Sequence, residues 1–358
     1  NLGVELLNWQ LVGLLLGGIF WGILGDKRGR LSVLFGSIFL YSVSNIANGF
    51  IHSVEAYRIL RFLTGIGLAG ELGAGITLVS EIMSKTARGW GTTLIATTGV
   101  MGVVAASLVG QQFSWQVSFF IGGGMGLGLL ILRLGVYESG MYQGLLKKHV
   151  ERGNFFSLFG SLEKSVKYFS SVFVALPVWY LVGILLTFSP EIGKSMGMTV
   201  LPETGQAIFY AYIGLTTGDI TSGTFSQIFR NRKKVILVFL ILTSLFITAF
   251  LFFGGISLPL FYGFCAAMGF SVGYWAIFVV VASEQFGTNI RATVTTTAPN
   301  FVRGSAVLLT LAFKALTPHW GALQSAAWVG VGTMLLAFLA LTQLEETYGK
   351  NLDYTEPL

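Results

Sequence analysis

Residues 81–93, which read Glu81-Ile-Met-Ser-Lys-Thr-Ala-Arg-Gly-Trp-Gly-Thr-Thr93, return in a second version as residues 284–296, Glu284-Gln-Phe-Gly-Thr-Asn-Ile-Arg-Ala-Thr-Val-Thr-Thr296. Both segments have a Glu, an Arg seven positions later, a small residue directly after it, and then a Thr pair. Each segment lies where one long apolar stretch ends and the next begins. A largely apolar chain built from two parallel copies is typical of membrane proteins whose two helical bundles face each other across a central site. The repeat therefore predicts two related halves in one membrane protein.

The composition supports a membrane protein and argues against other classes. The chain has 358 residues, of which 53% are hydrophobic and 11% are charged, and its mean hydropathy is +0.73. A soluble domain carries about 25% charged residues. The net charge of +6 does not indicate nucleic-acid binding, because the basic residues cluster in short loops between apolar runs. The one cysteine, Cys265, lies inside an apolar run, so we expect no disulfide and no cysteine metal site. The three His lie near predicted segment ends, so we expect no metal or cofactor site in the membrane.

A helix that crosses the bilayer needs about 20 apolar residues, and the sequence contains eleven such runs. The long polar stretch 137–167 predicts a linker between two bundles, partly helical and lying along the membrane surface. We therefore predict an N-terminal bundle over 1–136, a C-terminal bundle over 168–343 and a tail over 344–358. The eleven runs are 9–25, 31–50, 56–83, 88–110, 115–136, 168–189, 204–228, 234–254, 257–284, 290–316 and 321–343.

Lys and Arg set the expected orientation, because loops on the cytoplasmic side carry an excess of these residues. The loops near residues 27–30, 85–88, 230–234 and 291, together with the linker, are basic, so we place them and the tail in the cytoplasm. Since eleven spans is an odd number, the first run would then begin outside. Two bundles of equal size would need a further helix before Asn1.

Residues 22–30, Gly-Ile-Leu-Gly-Asp-Lys-Arg-Gly-Arg, resemble the G-x-L-a-D-r-x-G-R signature of the major facilitator superfamily, which lies there between helices 2 and 3. A degenerate counterpart occupies 223–233, with Gln227 in the place of the Asp and one residue inserted. The resemblance implies an all-α integral membrane fold of two six-helix bundles related by a pseudo-two-fold axis. By its numbering the chain carries helices 2–12, which is eleven of twelve.

Residues 61–75, with Glu81 and Arg88-Gly89 beyond them, resemble helix 4 of the metabolite:proton symporters, which carry proline/betaine, α-ketoglutarate, citrate or shikimate. Residues 137–139, Tyr-Glu-Ser, resemble the E-S-P at the start of their central loop, with Gly140 in place of the Pro, and 346–352 resemble the P-E-T-x-G-x-x-L tail of sugar porters. The resemblance implies a monomeric secondary transporter of the bacterial inner membrane that works by alternating access. Its partners would be protons, a small-molecule substrate and the lipid bilayer, with no nucleic acid and no cofactor.

Charged residues at the helix ends of the basic side predict a gate between the bundles. A carboxylate such as Asp26 can cap the N-terminus of a neighbouring helix and pair with Arg, and in the family this loop latches the outward-facing state. The alternative is a solvated charge cluster that only sets topology. The predicted gate residues are Asp26, Arg28, Arg30, Glu81, Arg88, Asp219, Arg230, Glu284 and Arg291.

Glu71 lies near the middle of the run 56–83, among glycines and apolar residues. Inserting a carboxylate at the centre of a membrane helix costs about 2.5–3.5 kcal/mol, and ionisable residues placed there often belong to proton pathways. We therefore predict that Glu71 carries the coupled proton. The alternative is a structural carboxyl bonded to a neighbouring helix. Arg61 is ten residues earlier, about 15 Å along one helix, so the two cannot pair within that helix.

Arg303 lies near the centre of the run 290–316, just after Pro299-Asn300. A buried Arg stays charged, so it needs an anion: either Asp219 or a substrate carboxylate, and both remain open. The repeat aligns Glu71 with Tyr274, which is followed by Trp275. These two aromatic residues would occupy the position in the second half that matches the acidic site in the first. The alternative is that their rings only pack against neighbouring helices. The predicted substrate-binding residues are Arg61, Arg303, Tyr274, Trp275, Tyr210, Tyr212 and Asn300.

These residues together predict a proton-driven importer of a small organic acid, amino acid or zwitterion. The alternative on the same fold is an exporter or a uniporter, with Glu71 in a structural role. The sequence has no P-loop and no recognisable nucleophile–base constellation, so we expect neither a pump nor an enzyme.

Overall fold

The computed structural model describes residues 2–85, 87–133, 135, 137–146 and 150–357. Residues 134 and 136, at the end of the fifth run, and 147–149, in the predicted linker, lie outside the described residues. In the described part every regular element is helical. The α-helices are α1 (Leu2–Arg28), α2 (Arg30–Asn48), α3 (Val54–Ile82), α4 (Arg88–Gln112), α5 (Trp115–Leu132), α6 (Gly140–Leu146), α7 (Leu162–Phe173), α8 (Leu176–Tyr180), α9 (Ser189–Ser195), α10 (Thr204–Ile228), α11 (Arg232–Phe253), α12 (Leu258–Ser271), α13 (Trp275–Glu284) and α14 (Arg291–Gln343).

Each of the eleven apolar runs overlaps one or more of these helices, although the helices divide the runs differently. Within the described residues, eight helices are long and apolar enough to cross a membrane, or nine if the bent pair Leu162–Phe173 and Leu176–Leu186 is one span. The 53-residue α14 joins the last two runs and is broken at Gly321, where φ is 73°. The 25-residue α10 is not among these candidate spans, because its second half contains Asp219 beside several Thr and Ser residues.

The burial pattern is the inverse of that in a soluble protein. Large apolar side chains cover the perimeter, and Leu132 and Phe252 are 79% and 78% exposed. In contrast, charged side chains such as Asp26, Arg30 and Glu284 are completely buried. A chain of this kind is solvated by hydrocarbon at its perimeter, which confirms the expected all-helical membrane fold.

The two halves pack through matching helix pairs. In the first half α1 packs on α3, and in the second half α10 packs on α12. Both pairs approach closely at glycines: a Cβ on Gly65 would lie 2.2 Å from the Gln10 carbonyl oxygen, and one on Gly269 would lie 1.9 Å from that of Ala211. Across the halves, α1 packs against α14 and α10 against α4. Small residues let helices in a membrane come this close.

Two backbone breaks place the polar residues of the site. Gly29, with φ 99°, turns the chain sharply between α1 and α2, a conformation that favours glycine. The helix that would run through 258–284 is interrupted between α12 and α13, and Asp219 of α10 reaches this break. Its Oδ1 accepts a hydrogen bond of 2.9 Å from the Ala276 amide, and so caps the first turn of α13.

Candidate functional site

We call the end of the molecule formed by residues 26–30, 81–88, 227–234 and 284–291 the basic face. Here Asp26, at the end of α1, caps the N-terminus of α14 from the opposite half. Its Oδ1 accepts a hydrogen bond from the Ala292 amide at 3.0 Å, and its Oδ2 accepts bonds from the Thr293 amide and hydroxyl at 2.8 and 2.7 Å. A negative charge at a helix N-terminus is favourable because the free amides and the helix dipole point towards it.

Glu81 is shared between the halves. Its Oε1 lies 2.8 Å from Nη2 of Arg30, in its own half, and 3.2 Å from Nη1 of Arg291, in the other half. Its Oε2 accepts a hydrogen bond from the Ser139 hydroxyl. Because the carboxylate and both guanidinium groups are buried, the pairs are shielded from water and stronger than exposed ones.

Glu284 repeats this arrangement in the second half. Its Oε1 lies 2.9 Å from Nη2 of Arg232, in its own half, and 2.7 Å from Nε of Arg88, in the first half. Each carboxylate therefore binds one Arg from each half, as a two-fold axis requires. We call Asp26, Arg30, Glu81, Arg88, Arg232, Glu284 and Arg291 the charge network.

Two further glutamates hold the network's own-half arginines in place. Glu138 accepts a hydrogen bond from the Leu31 amide at 3.2 Å, and Glu346 accepts bonds from the amides of Arg232 and Lys233 at 3.1 and 3.0 Å. They occupy matching positions at the starts of α2 and α11. Aromatic rings also cover both arginines, at 4.8 Å for Arg30 over Tyr142 and 5.9 Å for Arg232 over Tyr348.

The tail lies across the basic face and adds main-chain contacts. The carbonyl of Lys350 accepts a bond of 2.6 Å from Arg88, and that of Leu352 accepts one of 2.6 Å from Arg291. Asn289 pairs with both backbone groups of Glu356, at 3.0 and 2.8 Å. The tail thus contacts one network arginine from each half.

A cavity of about 700 Å³ lies between the halves, within the size range of small-molecule sites. Of the predicted residues, Glu71, Tyr212, Trp275 and Arg303 line it. Most of the remaining wall is apolar, from α2, α3, α4 and α5 on one side and from residues 178–182 on the other. The cavity therefore has an apolar wall with a few charged groups.

Arg303 has the charge arrangement of an anion site. Its guanidinium lies over the Trp275 ring, 5.7 Å from the centroid, and among the described residues it forms no ion pair within 4 Å. Asp219, one of its two expected partners, is engaged at the start of α13 instead. The ring holds the cation by a cation–π contact and leaves its hydrogen-bond donors to the cavity.

Glu71 pairs with a residue that our sequence reasoning missed. Its Oε1 lies 3.2 Å from Nη2 of Arg133, at the end of α5, and the two side chains are 27% and 26% exposed. Arg133 also lines the cavity. The signal was present, because Arg133 is the one charged residue in the run 115–136.

Several predicted substrate residues lie outside the cavity wall. Arg61 donates a hydrogen bond to Gln10 and lies over the Phe119 ring. The Tyr274 hydroxyl donates to the Val174 carbonyl at 2.9 Å, and Asn300 donates across the halves to the Ala69 carbonyl at 2.8 Å. Tyr210 is 39% exposed and stacks on Tyr262. The structure thus brings four of the eight predicted coupling and substrate residues to the cavity.

Three predicted gate residues lie apart from the charge network. Arg28 and Arg230 are exposed, and Arg232 occupies the position that we expected for Arg230. Asp219 lies at the α12–α13 break rather than on the basic face. Among the described residues no group of three or more His, Cys, Asp or Glu could hold a metal ion.

Comparison with known proteins agrees with this architecture. The family model described as Major Facilitator Superfamily matches residues 6–310. The chain is 28% identical to the putative niacin/nicotinamide transporter NiaP of Bacillus subtilis (strain 168) over 324 residues, which cover 85% of this chain and 77% of that protein. It is 26% identical to the probable 4-methylmuconolactone transporter of Cupriavidus pinatubonensis over 360 residues, covering 95% and 80%.

Among solved structures, the chain is similar to the proton:xylose symporter XylE bound to 6-bromo-6-deoxy-D-glucose. The TM-score is 0.74 at 16% identity, and the match covers 96% of this chain and 86% of that one. At this level of identity the similarity shows the fold.

Proposed function

We propose, from the premise that this chain belongs to the Major Facilitator Superfamily of transporters, that it takes up a small ring-containing carboxylate together with a proton. The observation that carries this proposal is Arg303, a guanidinium that faces the cavity over Trp275 and, among the described residues, has no carboxylate within 4 Å. A carboxylate substrate would neutralise it, and the aromatic wall would take the ring. The two relatives are named for small ring-containing compounds, which fits such a wall.

Glu71 is the proposed proton carrier. It is the carboxylate of the cavity wall, and it lies near the two cations Arg133 and Arg303. A proton on Glu71 changes the charge of the cavity by one unit, so proton and substrate binding can influence each other. Basic loops of a bacterial inner-membrane protein face the cytoplasm, so the basic face would be the cytoplasmic side. The charge network would then close the cytoplasmic side in the state seen here.

A uniporter is the second candidate, and one contact favours it. The ion pair of Glu71 with Arg133 at 3.2 Å could simply neutralise a charge in the membrane. In that case transport would run down the substrate gradient alone and would not respond to a pH gradient.

Uptake into proteoliposomes with an internal pH dye tests the proposal. We expect benzoate, nicotinate and related ring carboxylates to enter and acidify the lumen, and the Glu71→Gln variant to equilibrate them without acidification. Arg303→Gln should weaken substrate binding by roughly 10- to 100-fold, since a hydrogen bond to a charged group is worth about 1.5–3 kcal/mol. Arg58→Gln is the matched control, because Arg58 pairs with Glu5 outside the cavity at 2.8 Å. Substrate entry with no proton movement in the wild type would establish the uniporter, and normal binding by Arg303→Gln would remove the proposed site.

A further inference from the structure

The cavity holds more positive than negative charge. Two guanidinium groups, Arg133 and Arg303, and one carboxylate, Glu71, line it. With Glu71 ionised the three groups carry one net positive charge, and with Glu71 protonated they carry two. The number of substrate carboxylates that the cavity can neutralise therefore changes with one proton.

The charges are held by different helices. Glu71 on α3 lies 3.2 Å from Arg133 at the end of α5 and within electrostatic reach of Arg303 on α14. Tyr41 of α2 faces both Glu71 and Arg133, and Tyr212 of α10 faces Arg303. Of the residues described in the structure, these are the titratable and charged groups that face the pair from its neighbouring elements. Of the two arginines, Arg133 is covered by Glu71, whereas Arg303 forms no ion pair with any residue that the structure describes.

The geometry of Arg133 suggests how it could be released. Its Nη2 binds Glu71, and its Nη1 has no hydrogen-bond partner within the described part of the chain. Both side chains keep about a quarter of their surface exposed. A protonated Glu71 would lose the ionic part of this contact, and the Arg133 guanidinium could then bind another anion.

We propose that Arg133 is a second carboxylate-binding residue of the cavity, covered by Glu71 and uncovered when Glu71 takes up a proton. The cavity then accepts ring monocarboxylates in both protonation states and gains affinity for ring dicarboxylates when Glu71 is protonated. The inference rests on the proposed function, since Arg303 holds the first carboxylate in both states.

Binding of benzoate and of its three ring dicarboxylates, phthalate, isophthalate and terephthalate, tests this inference on the purified protein by calorimetry. Three isomers are used so that the spacing of the two carboxylates does not decide the result. Ordinary carboxyl groups have pKa values near 4, so the second carboxylate of each probe stays largely ionised between about pH 8 and about pH 6. In the wild type we expect the preference for the best dicarboxylate over benzoate to rise as the pH falls.

Glu71→Gln mimics the protonated state at every pH. It should bind the best dicarboxylate about tenfold more tightly than the wild type does at about pH 8, with no further dependence on pH, since a charge-assisted hydrogen bond is gained. The double variant Glu71→Gln/Arg133→Gln leaves Arg303 as the one charge of these three groups, so it should lose this gain while benzoate binding stays within about twofold. Arg58→Gln again serves as the surface control.

The outcomes separate the two proposals. If Glu71→Gln gains no dicarboxylate affinity, or if the double variant keeps the gain, Arg133 is not a second anion site. If benzoate binding does not depend on Arg303, the proposed function fails, whatever the dicarboxylates do.

Discussion

Two glycines of the cavity wall leave room that side chains would otherwise fill. Gly75 lies four residues after Glu71 on α3 and so on the same helix face, and Gly99 lies on α4. A Cβ at either position would have no atom of another described residue within 4 Å. Glycine inside a helix costs about 1 kcal/mol relative to alanine. Close packing of helices therefore does not require glycine at these two positions in the state seen here. The cavity space beside them is available to a substrate.

Filling that space should abolish binding without harming the fold. We expect Gly75→Leu to weaken benzoate binding roughly tenfold or more, because its side chain competes with the ligand for space beside Glu71. The melting temperature should stay the same or rise, since glycine is removed from a helix. Gly124→Leu on α5 is the matched control, because its Cβ also meets no atom within 4 Å but it is exposed and outside the cavity wall. Equal binding by both variants would mean that the ligand lies elsewhere.

Single charges inside apolar runs were the residues that the sequence could identify best. Glu71 and Arg303 were predicted as site residues because a membrane-embedded charge needs a partner, and both line the cavity. Arg133 was missed because it stands at the end of its run, where a basic residue also fits a topological role. Arg230 was chosen instead of Arg232 because one inserted residue shifts the second copy of the loop motif, and only three-dimensional packing shows which Arg reaches Glu284.

At the scale of helices, Asp26 joins two elements that belong to different halves. It binds the first free amides of α14, so its charge stabilises the contact of α1 with α14, which is the closed state of the proposed gate. Removing the charge should weaken that state by about 0.3–2 kcal/mol, the range for a charge at a helix N-terminus. The population open at the basic face should then rise by roughly two- to thirty-fold.

Alkylation of a buried cysteine can measure this opening. Thr296→Cys, in a Cys265→Ser background, places a thiol on α14 at a position that is 1% exposed and packed against Gly73 of α3. We expect Asp26→Asn to raise its labelling rate by a membrane-permeable maleimide several-fold. Lys27→Gln is the control, because Lys27 is the exposed neighbour and lies outside the charge network. If Asp26→Asn and Lys27→Gln label equally, Asp26 is a topological charge and not a latch.

The apolar runs were sufficient to find the helices, but not their ends and breaks. The break between α12 and α13 depends on Asp219, which is distant in sequence and supplies an acceptor for the α13 amides. In addition, α14 continues through Pro318 and is broken at Gly321, although the sequence placed a gap at 317–320 between two apolar runs. The α12–α13 break depends on a contact with another helix, which hydropathy along one segment does not contain.

At the scale of the molecule, the charge network connects the halves through two related centres. Glu81 and Glu284 each bind one Arg from either half. A rigid rotation of the halves that opens the basic face would break the cross-half pair at both centres while each own-half pair remains. The buried carboxylates would then keep one partner each, so neither is left as an uncompensated charge, which would cost several kcal/mol. This arrangement suits a contact that must form and break repeatedly.

If transport requires this rotation, a covalent link across the basic face should stop transport but not binding. A Cβ on Gly25 of α1 would lie 3.1 Å from the Cβ of Ala292 on α14, close to the separation of about 3.5–4.5 Å in disulfides. We expect Gly25→Cys/Ala292→Cys, in the Cys265→Ser background, to lose uptake of a bound ring carboxylate when oxidised and to recover it on reduction, with Kd changed less than about threefold in either state. Each single-cysteine variant, oxidised in parallel, controls for damage by the oxidant and for the crowding of Gly25. Undiminished uptake by protein whose cross-link is complete by mass spectrometry would show that the halves need not separate at this face, and alternating access through the charge network would be wrong.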